Sequence, residues 1–592
     1  MADETVHHHV QLRPKVESQY DDDVAFGRVL DLFLPRAVQD AARDNLTAFA
    51  GAVVSPQVLG WLADAEEHLP YMNHWDSWGE TNDVLRTSKG WNNLWNFASS
   101  ASSQFHLTLS DGVAHLLSLH LAGSKLDSPT RALFQHAHGR LTSANPSTAW
   151  TSGLWMTERG GGSDLTPTET TATYEPRTET TSGADADTDA DGFPLGPWRL
   201  DGFKWFSTGT EAAMAIVVAK TAKGLSTFYV PTRRRVLVNG TMRTELNGVR
   251  IRRLKNKLGT KALPTAELEI NGMRGWLIGE DGRGVKELGV VLNVTRVHLA
   301  VFGLGVMGRA LAATRAFARV RRVARGTKLS SVPLHMRTLA KAHVTYRGHM
   351  LLGFFVASLL AHAEQQTGQQ TEQQTRPERA AKFQAMPQSP QDVQCLLRLL
   401  SPVAKATTAK ALCTVSQVAM EALGGVGYME NEDMRFNLAR HFRDAPALTI
   451  GEGTTDVLAT DVVKVLKGSI GPAVVRALGR WVTATLPAGE ATALERDAVV
   501  QQWNELDTAI SSNTVESLTL HGQEIMDHVR TLVAAVLLLV AFETDADPVT
   551  LEIARRWMGL HRPLGGWTNV ETELSIDQKI VFGSRPTWDA EE

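Results

Sequence analysis

The sequence predicts an α+β chain of several domains, in the order helices, small β domain, helices, and a further helical extension. Three observations carry this. The chain has 592 residues, too many for one hydrophobic core. Long apolar-periodic stretches, poor in Gly and Pro, flank a central region of short β-branched runs punctuated by turn dipeptides. The composition, 43% hydrophobic and 21% charged, is that of an ordinary globular enzyme, and a formal net charge of -4 gives no reason to expect a polyanionic partner.

Taken in order, residues 1–23 are acidic and lack an apolar h-region. They read as a disordered tail rather than a signal or transit peptide, and His7, His8 and His9 as part of that tail rather than a metal site. Residues 24–148 form an N-terminal helical domain, on runs such as Val29, Leu30, Leu32, Phe33 and Leu34, and Val113, Leu116, Leu117, Leu119 and Leu121. Residues 149–283 form an antiparallel β domain. Its strands fall on 198–200, 215–219, 227–230, 249–251 and 266–270, and its turns on Asp201-Gly202, Asn247-Gly248, Asn271-Gly272 and Asp281-Gly282. The polar segment 178–192 is a loop within it. Residues 284–470 are helical, interrupted by a Gln-rich linker at 364–391, and residues 471–592 are a helical extension. The longest apolar run, 531–542, falls short of the about twenty residues that span a bilayer and reads as a core helix. Cys395 and Cys413, the only cysteines, read as thiols of a reducing compartment. With no targeting signal, the expected location is the cytoplasm.

Four constellations carry chemistry. Met156-Thr157-Glu158-Arg159 leads into Gly160-Gly161-Gly162-Ser163-Asp164, where glycines let backbone approach a ligand; a turn joining two elements explains it equally well. Trp205-Phe206-Ser207 sets an indole beside a hydroxyl, suited to flanking a flat heteroaromatic ring or to filling a barrel core. Leu423-Gly424-Gly425-Val426-Gly427-Tyr428, followed by Arg440 to Asp444, holds more glycines than a helix C-cap explains. Gly451-Glu452-Gly453-Thr454 places a carboxylate between two small residues, open to a substrate and placed to act as a base if partly desolvated; a surface turn is the other reading.

Together these segments resemble, in order and spacing, the signatures of the acyl-CoA dehydrogenase superfamily over roughly residues 60–468. The layout is most similar to its AidB-type branch of alkylation-response flavoproteins, on Met156-Thr157-Glu158, the Gly-Gly-Ser-Asp run, the stretch Arg252 to Gly259 and the helical extension. The resemblance implies a middle β-barrel, a C-terminal four-helix bundle and an extra C-terminal helical domain. It implies bound FAD lying between the barrel and the bundle. Its ring edge meets Met156, Thr157, Glu158, Trp205, Phe206 and Ser207; Arg322 serves the pyrophosphate, Gly424 and Gly425 form the dinucleotide cradle, and Ser163, Thr454 and Asp456 add contacts. It implies Glu452 as the base taking the α-proton of an acyl-CoA while a β-hydride leaves to the flavin, with Ser163, Arg296 and Gly453 on the substrate side. The alternative base position of the family holds Thr295 here, so Glu452 is the only carboxylate at either place. A homo-oligomer, tetramer or dimer, is implied as well. No metal and no membrane partner is expected.

Departures qualify the match. Where the family has an arginine-x-x-phenylalanine-glycine run this chain has Arg322-Val323-Ala324-Arg325-Gly326, and Arg159 replaces a common proline. Two alternatives follow from the resemblance: a DNA-binding flavoprotein with little dehydrogenase turnover, and an oxidase passing electrons to O2. The extension has 9 Lys and Arg against 18 Asp and Glu, a net of -9, which opposes DNA binding there. A basic run does occur elsewhere, at Arg233 to Arg235 and Arg250 to Lys261.

Overall fold

The computed structural model describes residues 14–20, 23–34, 36–75, 81–94, 104–176, 188–368, 385–560 and 569–583. They form two compact units: residues 60–298, and residues 1–59 together with 299–592.

In the first unit nine strands follow a hairpin. The hairpin pairs β1 (Tyr71–Trp75) with β2 (Thr81–Arg86), so the segment expected to be wholly helical is not. The others are β3 (Ser152–Trp155), β4 (Thr171–Tyr174), β5 (Trp198–Thr208), β6 (Met214–Thr221), β7 (Gly224–Pro231), β8 (Arg233–Val238), β9 (Thr241–Leu246), β10 (Val249–Leu254) and β11 (Thr265–Ile278). Strand β11 is long enough to pair with β10 and β5 along its first part and with β7 at its end. With β7 on β6, β6 on β3 and β3 on β5, the sheet closes into a barrel. One expectation is corrected: β3 runs parallel to β6, and every other pairing along the ring is antiparallel.

Side chains alternate across the sheet with the period of a strand. Met214, Ile216 and Val218 of β6 join a core with Leu116, Leu117 and Phe134 of the helices Gln104–Ala122 and Ser128–Leu141. Ala215, Val217 and Ala219 face a separate core with Trp155, Leu200, Phe228 and Leu268. Two expected turns are corrected. Asp201-Gly202 lies inside β5 and Asn271-Gly272 inside β11, opposite each other across a register shift. The Asp201 carboxylate accepts the Gly272 N–H at 2.7 Å, and a Cβ on Gly202 would lie 2.5 Å from Thr170 Oγ1. These glycines serve a bulge in a continuous strand pair.

In the second unit the helices Pro333–Gly368, Thr455–Lys467 and Gly522–Asp545 pack on Pro390–Ala422. The C-terminal part of Gly284–Val320 joins them, with Gly303 on Thr408 and Phe317 clustered with Ala419 and Leu438. The extension is thus folded onto the bundle: Trp481 stacks on Phe355 at 5.0 Å, and its indole N–H donates to Ala385 O at 2.6 Å. Among the described residues three helices, Gly522–Asp545 one of them, are long and apolar enough to cross a membrane, but 72% of the apolar stretch of Gly522–Asp545 is buried inside the fold. Cys395 and Cys413 are free thiols on one helix.

The calls of disorder at 1–23, of a loop at 178–192 and of a linker at 364–391 fall largely outside the described residues. Where residues are described the expectation is corrected at Val16 and Tyr20, which are buried in apolar clusters, and at Ala385 and Met386, also buried.

Candidate active site

In the barrel unit β3 ends at Trp155 and the chain turns through Met156, Thr157 and Glu158. Thr157 O accepts the Trp205 N–H at 2.9 Å, which ties this turn to β5. The turn is anchored from within. Glu158 is buried and accepts from Glu169 N, from Thr170 N and Oγ1, and from Lys204 Nζ at 2.6 Å. Lys204, with 0% exposure, also donates to Val218 O at 2.7 Å. Burial pulls the Lys204 ammonium down to about 8, against the raising pull of Glu158. Burial pushes the Glu158 carboxyl up, but the Lys204 charge and the hydrogen bonds it accepts more than offset this and hold it low. A buried pair of this kind fixes geometry more than it adds stability.

Beside the turn the Trp205 ring carries three cations, Lys255 Nζ at 3.1 Å, Arg159 Cζ at 4.6 Å and Arg253 Cζ at 5.9 Å from its centroid. Phe206 is exposed. Ser207 is buried, and its Oγ has no hydrogen-bond partner among the described residues, an exception to the rule that buried hydroxyls are satisfied.

In the helical unit Glu452 follows the short helix Pro446–Ile450 and precedes Thr455–Lys467. It is half-buried and holds φ of +58°. The left-handed region costs a side-chain-bearing residue on the order of 1 kcal/mol. Gly453 follows at φ of +106°, and its carbonyl accepts from Lys405 Nζ at 2.6 Å. Lys405 is 1% exposed on Pro390–Ala422.

The same unit contains a cavity of about 390 Å³ lined by Phe317, Arg321, His335, Thr338, Glu421 and Gly424, among others. It opens where the helix Pro390–Ala422 ends and Gly424, at φ of +62°, turns the chain.

Comparison with known proteins decides what these pieces belong to. Residues 153–273 match the acyl-CoA dehydrogenase middle domain and residues 282–467 the acyl-CoA dehydrogenase C-terminal domain. The chain is 31% identical to acyl-CoA dehydrogenase family member 11 of Caenorhabditis elegans, over 97% of this chain and 92% of that protein. The chain belongs to the acyl-CoA dehydrogenase family. It is also 30% identical to the putative acyl-CoA dehydrogenase AidB of Escherichia coli, over 54% of this chain and 49% of that protein. Among solved structures, C. elegans ACDH-11 in complex with C11-CoA superposes with a TM-score of 0.78 at 28% identity, over 99% of this chain and 98% of that one. The nematode likeness thus takes in the helical extension.

Within this acyl-CoA dehydrogenase fold, the expected site residues fall at several places. Met156, Thr157, Trp205 and Ser207 come together at the β3–β5 edge, with Phe206 exposed beside them; the Glu158 side chain faces inward to Lys204 instead of outward to a ligand. Ser163 is exposed beyond the Gly-rich turn. Gly424 lines the cavity and Gly425 follows it. Arg322 Nη1 donates to Gly326 O at 2.9 Å and closes its own loop, so Arg321 is the arginine lining the cavity. Thr454 stands at the N-cap position of Thr455–Lys467 without a side-chain capping bond, and Asp456 in its first turn accepts from Gln523 of the extension at 2.6 Å. Arg296 is half-buried on Gly284–Val320, next to Thr295, a fully buried hydroxyl bonded to Leu292 O. Lys204 and Lys255 lie in segments that the sequence singled out but were given no site role, and Arg321 and Lys405 were not anticipated. The basic run is also less basic than it reads: Arg252 pairs with Glu269, and Arg253 and Lys255 with Glu267.

The residues present fit FAD. The unsatisfied Ser207 hydroxyl beside an indole suits a polar ring edge, and the cavity offers a guanidinium and a glycine turn, the donor types that bind a dinucleotide phosphate.

Proposed function

We propose that this chain is an FAD-dependent acyl-CoA dehydrogenase in which Glu452 is the base. One observation carries the reading: the fold holds a glutamate, between two glycines, in a backbone conformation that disfavours any side chain. Backbone strain retained at one carboxylate points to a group held in place for function, and a positioned carboxylate suits the role of general base. Glu452 takes the α-proton of an acyl thioester. The electrons of that C–H bond form the new α,β double bond as the β-hydrogen leaves with its pair, so the product is the enoyl thioester. FAD, when bound, supplies the oxidant for the β-hydrogen. Met156, Thr157 and Ser207 orient the ring edge, and Arg321 with the Gly424 turn holds the phosphates. That ACDH-11 is a complex with C11-CoA supports a thioester substrate here. Exposed Val426, Tyr428 and Met429 at the glycine turn support assembly as a homo-oligomer.

The test is anaerobic titration of the FAD-loaded protein with acyl-CoAs of graded chain length. Flavin absorbance should bleach with at least one chain length, and Glu452→Gln should slow bleaching by about 10²-fold or more. Bleaching at an unchanged rate in Glu452→Gln, or by no acyl-CoA at all in the parent, overturns the reading.

A further inference from the structure

We infer that Lys405 is a positioning residue for Glu452. The inference rests on the reading of Glu452 as the base. Lys405 lies within the apolar interior face of Pro390–Ala422, flanked by the buried residues Val403, Ala404 and Ala406, at 1% exposure. An ammonium taken that far out of water is costly unless it has a fixed partner. One fixed partner is a backbone carbonyl: Nζ donates to Gly453 O at 2.6 Å.

That carbonyl is the one immediately after the base. Glu452 holds φ of +58°, a conformation that a residue with a side chain leaves readily, and Gly453 follows it at φ of +106°. A Cβ on Gly453 would also lie 2.9 Å from the Leu458 side chain, which closes the turn from the other side. The hydrogen bond from Lys405 clamps the turn at its centre and fixes where the carboxylate points. Lys405 itself transfers no proton in this scheme.

The experiment compares Lys405→Met, Glu452→Gln and the double variant as FAD-loaded full-length proteins. Expected for Lys405→Met is a limiting flavin-reduction rate at least about tenfold lower, with acyl-CoA affinity and FAD content within about twofold of the parent. A misplaced reacting group costs the chemical step and leaves binding intact. The double variant should be no slower than Glu452→Gln alone, because a residue acting only through Glu452 has nothing left to position. Amide hydrogen exchange at residues 451–454 should accelerate in Lys405→Met while the core of Pro390–Ala422 stays protected. An unchanged rate, a loss that follows lost FAD, or an additive loss in the double variant overturns the role of Lys405 and leaves Glu452 standing. A Glu452→Gln protein that reduces flavin normally overturns the base assignment and the inference with it. If Lys405→Met does not fold, Lys405→Leu, which also keeps apolar bulk and has no donor, is measured in its place against the same outcomes.

Discussion

Glu452 holds a backbone conformation that glycine adopts at no steric cost, which sets function against stability at one residue. Glu452→Gly should therefore raise unfolding stability by about 1 kcal/mol while abolishing flavin reduction. Urea unfolding of the two proteins checks this, and a destabilised glycine variant would show that the turn carries no strain. The Glu158–Lys204 pair behaves oppositely. Lys204→Met strands a buried carboxylate and should cost about 3–5 kcal/mol, most of it recovered when Glu158→Gln is added. The glycine-flanked turn at Glu452 was legible in the sequence because its glycines stand next to it in the chain. Lys204 and Lys405 were not, because their partners lie 46 and 48 residues away. A lone lysine amid Val403, Ala404 and Ala406 was the one signal available, and it acquires meaning only once those neighbours are known to be buried.

At the scale of elements, the β-branched runs identified β6, β7, β10 and β11, whose period-2 alternation is local. Strand β5 was cut short because Asp-Gly is a turn signal in most settings. Here Asp201 spends its carboxylate on Gly272 across the sheet, and that long-range bond converts a turn dipeptide into a bulge. Gly202→Ala brings a Cβ into Thr170 and should destabilise the barrel unit by about 1–3 kcal/mol, read from its thermal unfolding; an unchanged midpoint would mean the bulge is not tight. The basic run has the same history. In sequence it is a row of arginines and lysines. In the sheet Arg252 is paired with Glu269, and Arg253 and Lys255 with Glu267, so the charge available to a polyanion is much reduced.

For the whole molecule, the helical extension decides how the bundle responds to acid. His343 and His349 lie buried on Pro333–Gly368. Burial, with the Arg315 and Arg347 charges, holds the His343 imidazole far below its ordinary range. Burial, with the Arg530 charge, lowers His349 to about 3. Trp557 of the extension seals that second site: its ring meets His349 edge-on at 5.3 Å and lies so close over Gly348 that a Cβ there would be 2.3 Å away. A histidine whose folded pKa is lowered stays neutral in the fold while the unfolded chain binds a proton. Its contribution is therefore fully present above about pH 6.5 and lost as pH falls below that, at up to about 1.4 kcal/mol per pH unit for each group. Between pH 6.5 and 5 the two histidines together should remove about 3 kcal/mol from the helical unit, seen as a falling urea midpoint. Trp557→Ala should destabilise the unit by about 3–5 kcal/mol at pH 7 through the cavity it leaves. It should also flatten the acid dependence, because an opened His349 site admits water and its pKa returns toward the ordinary value. A Trp557→Ala protein that weakens at pH 7 yet keeps the full acid slope would show that the extension adds packing alone, and that the neutral state of His349 is set within the bundle.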